Sequence, residues 1–321
     1  MKEFFRKIFV SQLFYFIIAV FALWYVFPYI PVHKLTDAIP KDFAYHNLSV
    51  GIVMVGCIIL SAVLNMFAQF GLVYSLSKLK FDWKKLVCVF LGSAVMLILC
   101  IVWIEHYLSV TRPQIFPPSQ TYFMHLLAIG KNIGSKFIVS LPQRGFINFF
   151  IITLCFSFGS LLSYIIKEKN LLVPVMLCCA FIDIWTCTIG FVSKTLAKAP
   201  EVVSGVSTGV SMIGGSKFAL PNIATIGPGD FIFASLVFAC VMRFALNGKR
   251  NFWFMFSFLT LGMLLIVLGI LPFLPALVCV CLGTLLANFR DFDMNRQEKL
   301  SVAVVFAVLL LVYLYFKFFR S

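Results

Sequence analysis

The chain has 321 residues, of which 62% are hydrophobic and 12% charged, and its mean hydropathy is +1.02. Soluble domains are roughly half apolar and a quarter charged, so this composition excludes an ordinary soluble globular protein. The net charge of +14 comes from Lys and Arg in short loops between apolar runs, the pattern of positive-inside topology. We therefore expect no nucleic-acid partner, and we predict an all-α, polytopic transmembrane helical bundle in the lipid bilayer.

Apolar runs of spanning length recur along the chain and predict nine transmembrane helices. They cover approximately residues 9–30, 48–76, 86–109, 146–166, 171–193, 229–247, 252–271, 273–288 and 300–317. The first run is too long for a signal peptide and no small-residue cleavage site follows it, so we interpret it as a retained span. The segment 122–141 is ambiguous, because Lys131 and Lys136 interrupt its centre. It is either an interfacial amphipathic helix or a tenth span, and the distribution of basic loops favours nine.

The predicted organisation has three parts that form one structural unit. Residues 1–170 hold the N-terminal scaffold helices, residues 171–288 hold the polar features described next, and residues 289–321 add a C-terminal helix. The ten cysteines all fall inside apolar runs, and the four histidines are scattered in or beside loops. We therefore interpret the cysteines as packing residues and expect neither a metal site nor a cofactor.

Two carboxylates, Asp183 and Asp230, are the only ones that lie well inside predicted spans. A charge at the bilayer centre costs about 2.5–3.5 kcal/mol on insertion scales, so each marks a candidate functional residue, and the simplest hypothesis is a facing pair. Asp183 lies roughly 15 Å from the end of its span. The two side chains meet only if the chain before Asp230 dips into the membrane beside a water-filled cavity. Gly227 and Gly229 would let that backbone approach a ligand closely.

Two facing carboxylates in a low-dielectric site cannot both ionise cheaply, so they share one proton. The ionised member can take a proton from water while the protonated member donates a hydrogen bond to a scissile carbonyl. This is the division of labour in aspartic proteases. The connection 193–228, rich in Gly and Ser, is long enough to act as a mobile substrate loop.

The residues that flank these aspartates resemble a known family. Gly227-Pro228-Gly229-Asp230 matches the Gly-x-Gly-Asp motif of intramembrane aspartyl proteases, and Pro275-Ala276-Leu277 matches the Pro-Ala-Leu motif of presenilins and signal peptide peptidases. Asp183 is similar in position to the upstream catalytic aspartate of that family. The resemblance covers about 171–288.

The resemblance implies a presenilin-like bundle that hydrolyses peptide bonds in the transmembrane segments of other proteins, with Asp183 and Asp230 as the catalytic pair. It also implies that the Pro-Ala-Leu segment borders the active site. An unwinding substrate would pair as a strand with chain near the Gly-x-Gly-Asp segment, and 222–226 is a candidate edge for such pairing.

The chain departs from the family at identifiable places. Ile182 stands where the family has tyrosine, and a further predicted span, 300–317, follows the Pro-Ala-Leu helix. Four or five spans precede Asp183, depending on 122–141. The nine-span count gives the signal peptide peptidase orientation, and the ten-span count gives the presenilin orientation.

Two other functions fit the same residues. The aspartates could serve as an ion or proton relay in a coupled transporter, although no inverted repeat is apparent. A prepilin-type peptidase also uses Gly-x-Gly-Asp, but its paired Cys-x-x-Cys motifs are absent from this sequence. The composition favours a prokaryotic inner membrane, and the need for accessory subunits or self-association stays open.

Overall fold

The computed structural model describes residues 12–27, 30, 46–111, 144–188, 208–209, 225–267, 270 and 276–319. These residues are almost entirely helical. Within them the helices are α1 Gln12–Val26, α2 His46–Ser77, α3 Trp83–Thr111, α4 Arg144–Leu162, α5 Leu172–Thr188, α6 Pro228–Arg243, α7 Gly248–Val267, α8 Ala276–Ala287 and α9 Arg296–Phe319. Two short strands, β1 Thr208–Gly209 and β2 Thr225–Ile226, pair antiparallel. Two 3₁₀ turns, Ser163–Ile165 and Lys169–Leu171, connect α4 to α5.

Each predicted apolar run overlaps one of these helices, so the predicted all-α class is confirmed. Within the described ranges, four helical stretches are long and apolar enough to cross a membrane: Ser49–Ser77, Trp83–Tyr107, Gly145–Ile165 and Lys169–Cys187. Such helices are compatible with a membrane protein, whereas the count of nine spans stays a prediction. The ambiguous segment 122–141 lies outside the described residues.

The chain divides into two compact units, and each unit joins stretches that are distant in sequence. The first comprises Met1–Leu72, Val87–Cys155 and Pro200–Pro228. The second comprises Val73–Leu86, Phe156–Ala199 and Gly229–Ser321. The predicted division at residues 170 and 288 follows the chain order instead, and it stays a prediction.

Aromatic and aliphatic side chains build the core of the first unit. Cys100, Ile104 and Ile147 are buried together where α3 meets α4. The ring of Phe146 lies 5.1 Å from that of Phe21 on α1 and 5.9 Å from that of Trp103, measured between centroids. Such aromatic pairs add directional packing to non-specific apolar burial.

Close helix packing organises the second unit, in which α8 packs against both α7 and α5. A Cβ at Gly283 of α8 would lie 2.7 Å from the Cα of Met255 on α7, so the two backbones meet there with no room for a side chain. Small residues at such a crossing allow the backbones to approach, which is how helices associate in a bilayer.

Polar contacts in the loops fix the start of α5 in the same unit. Lys169 Nζ donates to the carbonyl of Asp291 at 2.9 Å, and Asn170 Nδ2 donates to the carbonyl of Asp293 at 2.8 Å. Arg250 at the start of α7 forms a 2.6 Å ion pair with the Asp291 carboxylate. The loop between α8 and α9 therefore holds the start of α5, the helix that carries Asp183.

The C-terminal helix α9 packs against α5 but leaves much apolar surface uncovered. Leu300 and Leu311 are each 66% exposed, and Phe306 is 52% exposed. Soluble monomers rarely expose so continuous an apolar helix, whereas a lipid-facing helix does so by default.

Replacement of Gly283 by Ala should destabilise the second unit. The added methyl group must displace the α7 backbone at Met255, and overpacking of this kind costs about 1–3 kcal/mol. The measurement is thermal unfolding of the purified protein in detergent.

The matched control is Gly92→Ala on α3, because a Cβ at Gly92 meets nothing within 4 Å. This variant should unfold at the wild-type temperature or slightly above it, since Ala is the better helix former. Equal melting temperatures for the two variants would contradict the close α7–α8 contact.

Candidate active site

The Asp183 carboxylate binds the beginning of α8. Its Oδ2 accepts a hydrogen bond from the backbone N–H of Leu277 at 3.0 Å. Leu277 is the second residue of α8, and the first N–H groups of a helix have no acceptor within it. A carboxylate there satisfies an otherwise unpaired donor and lies at the positive end of the helix dipole. Two predicted site residues, 94 positions apart, are thus in direct contact.

The second contact of Asp183 comes from its own helix. Cys187, one turn later on α5, has its Sγ 3.6 Å from Asp183 Oδ1. The half-buried carboxylate therefore receives a backbone amide on one oxygen and a thiol on the other. These two donors restrict the orientation of the carboxylate more tightly than either donor alone.

Asp230 lies in the first turn of α6, two residues after Pro228 opens the helix. Proline is favoured at this position because its missing N–H needs no acceptor and its φ suits a helix. An acidic residue in the first turn is stabilised by the helix dipole. Both predicted catalytic aspartates therefore lie at helix N-termini, Asp183 at that of α8 and Asp230 at that of its own helix.

The electrostatics of two thiols indicate that Asp183 and Asp230 lie in one region of the second unit. Cys187 on α5 and Cys279 on α8 each interact electrostatically with both Asp183 and Asp230. Such interactions place each thiol in the neighbourhood of both carboxylates, since they fall off with distance. Asp183 on α5, Asp230 on α6 and the start of α8 therefore lie in the same region of the second unit.

The two glycines of the Gly-x-Gly-Asp motif differ in their surroundings. Gly229 is exposed, and a Cβ built on it meets nothing within 4 Å. Packing against the described residues therefore does not require glycine at this position. Gly227 lies between β2 and α6. Ala276 is the first residue of α8, and Pro275 lies outside the described residues.

The candidate strand edge 222–226 is described only in its last two residues. Thr225 pairs with Gly209, and Ile226 pairs with Thr208, in an antiparallel register. Extended chain therefore ends immediately before the Gly-x-Gly-Asp segment, where the sequence analysis placed it. The pairing of a substrate strand with this segment stays a prediction.

Sequence reasoning missed two groups at the site. It treated Cys187 as a packing residue, although the spacing of four residues from Asp183 on a helix brings the two side chains onto one face. It also overlooked the Leu277 amide, because a backbone donor carries no sequence signal beyond the position of the helix start.

Over the described part of the chain, no group of three or more His, Cys, Asp or Glu residues is arranged to hold a metal ion.

No protein-family model, curated protein or solved structure matches this chain. The functional argument therefore rests on the two motifs, the two aspartates and the contacts among them.

The structural role of Asp183 can be tested by measuring stability, without an activity assay. Asp183→Ala leaves the Leu277 N–H without its acceptor, which should lower the free energy of unfolding by about 1–3 kcal/mol. Asp183→Asn keeps an oxygen that can accept the same hydrogen bond and should stay close to wild type. Thermal unfolding in detergent measures both.

Asp293→Ala is the control, because the Asp293 side chain is exposed and the contact made by this residue uses its backbone carbonyl. This substitution should leave the free energy of unfolding unchanged. If Asp183→Ala is as stable as Asp183→Asn, the carboxylate does not hold the start of α8.

Proposed function

We propose that this protein is an intramembrane aspartyl protease that hydrolyses peptide bonds in the transmembrane segments of other membrane proteins. The observation that carries the proposal is the hydrogen bond between Asp183 and Leu277 of the Pro-Ala-Leu segment. The electrostatic interaction of Cys187 and Cys279 with both Asp183 and Asp230 supports it. The transporter alternative does not account for the Pro-Ala-Leu motif beside Asp183.

The proposed reaction uses the aspartates as a general acid and a general base. The ionised carboxylate removes a proton from water, and the resulting nucleophile attacks the scissile carbonyl carbon. The protonated carboxyl donates its proton to the carbonyl oxygen. Collapse of the tetrahedral intermediate breaks the C–N bond, the amine leaves with a proton, and the pair again holds one proton. Each aspartate serves in both roles over a cycle.

The chain's own groups prepare this reaction. The Leu277 amide and the Cys187 thiol orient the Asp183 carboxylate, so that little reorganisation is needed when water is activated. Apart from the adjoining chain, no atom of the described residues lies within 4 Å of a Cβ built at Gly229, and we propose that an extended peptide passes there. We propose no metal and no cofactor, because two carboxylates and water are sufficient for the chemistry.

The same proposal includes a presenilin-like bundle of nine spans in a prokaryotic inner membrane, with Gly227, Gly229 and the segment Pro275-Ala276-Leu277 supporting the site. Nine helices within the described ranges each overlap a predicted run, which supports the span count, and four of these helical stretches are long and apolar enough to cross a membrane. The exposed apolar side chains of α9 support a lipid environment for the additional C-terminal helix.

Asp183→Asn and Asp230→Asn should each abolish cleavage of a reporter transmembrane segment in proteoliposomes, with a rate loss of at least about 100-fold. Both substitutions keep the size of the side chain and remove the exchangeable acid. The measurement is the appearance of the cleaved reporter fragment over time, with Asp293→Asn as a control that should retain full activity. Cleavage at the wild-type rate by either folded variant would exclude the two-aspartate mechanism.

A transition-state mimic separates a protease from a transporter. A hydroxyl-bearing peptide mimic of the tetrahedral intermediate should bind the wild-type protein and fail to bind Asp230→Ala, because the mimic's hydroxyl replaces the attacking water between the carboxyls. Binding is measured by isothermal titration in detergent. Ion-gradient-driven uptake that is insensitive to the mimic would instead identify a transporter.

A further inference from the structure

The second unit contains a cavity of about 240 Å³ that none of the predicted catalytic residues lines. Its walls come from the end of α2, the turn before α3, the end of α4 with the following 3₁₀ turn, and the end of α6. Leu86 and Phe156 supply buried apolar wall, 2% and 1% exposed. The site is therefore a cleft at helix ends, apolar on one side.

Two basic side chains line the cavity, Lys80 and Arg243. Arg243 donates one N–H of its guanidinium to the carbonyl of Ile166, and the group lies 5.6 Å from the Tyr164 ring. A guanidinium has five N–H donors, so most of them stay available. In the described part of the chain no carboxylate forms an ion pair with Lys80 or Arg243. Among the described residues, the two positive charges at the cavity therefore have no carboxylate in an ion pair with them.

A buried hydroxyl at the cavity lacks a partner. Ser160 is 4% exposed and lines the cavity, and its Oγ has no hydrogen-bond partner among the described residues. Buried polar atoms in native proteins are nearly always hydrogen-bonded, so an unsatisfied one calls for a missing partner. The adjacent Ser163 hydroxyl donates to the Ser160 carbonyl at 2.7 Å and retains acceptor lone pairs. Ser160 is thus the group that a bound acceptor oxygen would satisfy.

The remaining charged groups around the cavity favour an anion. Asp82 also lines it, but this carboxylate is highly exposed and lies 3.4 Å from Lys85 Nζ, so its charge is offset and screened. Burial lowers the pKa of Lys78, on the same turn as Lys80, and the positive charge of Lys249 lowers it further. Lys78 and Lys249 therefore add positive charge near the end of α2, which favours an anion at the cavity.

We propose that this cavity is a binding site for a phosphate group, held by Lys80, Arg243 and the Ser160 hydroxyl, and that the phosphate is carried by an anionic phospholipid. Basic pockets between membrane helices on the side rich in Lys and Arg bind lipid head groups through this chemistry. The apolar wall at Leu86 and Phe156 accommodates the beginning of an acyl chain. The site uses neither Asp183 nor Asp230, so it is independent of the proposed protease activity.

The test compares the affinities of the protein for phosphatidylglycerol, phosphatidylcholine and inorganic phosphate. The purified chain is delipidated and then titrated with each ligand. Native mass spectrometry counts the bound lipid. The wild-type protein should bind phosphatidylglycerol at least about tenfold more tightly than phosphatidylcholine. The variant Lys80→Gln/Arg243→Gln should lose about tenfold in affinity for phosphatidylglycerol, because it removes two charge-assisted contacts. Ser160→Ala, which removes only one hydroxyl, should lose about fivefold in affinity for phosphatidylglycerol.

The matched control is Lys84→Gln/Lys299→Gln, which removes the same charge from exposed positions that do not line the cavity. It should bind as wild type. An equal loss in the control and the cavity variant, or no loss in Ser160→Ala, would overturn the proposal in favour of general surface charge. Competition by inorganic phosphate with no preference between the two lipids would retain the phosphate site and refute the lipid as its source.

Discussion

The hydrogen bond from the Leu277 amide to the Asp183 carboxylate gives each of two polar groups a partner on another helix. A carboxylate in an apolar helix needs donors, because burial without them is costly. The start of α8 has backbone N–H groups with no acceptor in their own helix, and in a bilayer core no water is freely available to them. The contact at 3.0 Å satisfies both groups at once. It also fixes α8 against α5 at the position where the proposed chemistry requires order.

The rest of the second unit positions these two helix segments. The loop after α8 holds the start of α5 through Lys169 and Asn170. The close approach at Gly283 holds α8 against α7. A carboxylate that must keep a fixed orientation during a reaction needs support of this kind, since a displacement of about 1 Å costs a large part of the rate. The Cys187 thiol adds the final restraint from one turn along α5.

The two proposed sites occupy opposite ends of α6. Asp230 is in its first turn and Arg243 in its last, a separation of roughly 20 Å along the axis. The helix dipole stabilises the acidic residue at the N-terminus and the basic residue at the C-terminus. One helix can therefore hold the Asp230 carboxylate of the proposed catalytic pair at one end and the Arg243 guanidinium of the proposed phosphate site at the other, without either charge opposing the helix dipole.

The sequence by itself determined the helical class, the position of each described helix and the two aspartates as exceptional residues. These features are local: apolar runs of spanning length, a proline at a helix start and a charge inside an apolar run are all visible in short windows. The sequence did not indicate which amide would meet Asp183, that Cys187 would donate to it, or that Ser160, Lys80 and Arg243 would line one cavity. Those contacts join residues on different helices, or depend on the direction of a side chain, and both are decided by how the helices pack. Hydropathy sets where helices form, whereas the small residues, helix ends and loop contacts between them set which polar groups meet.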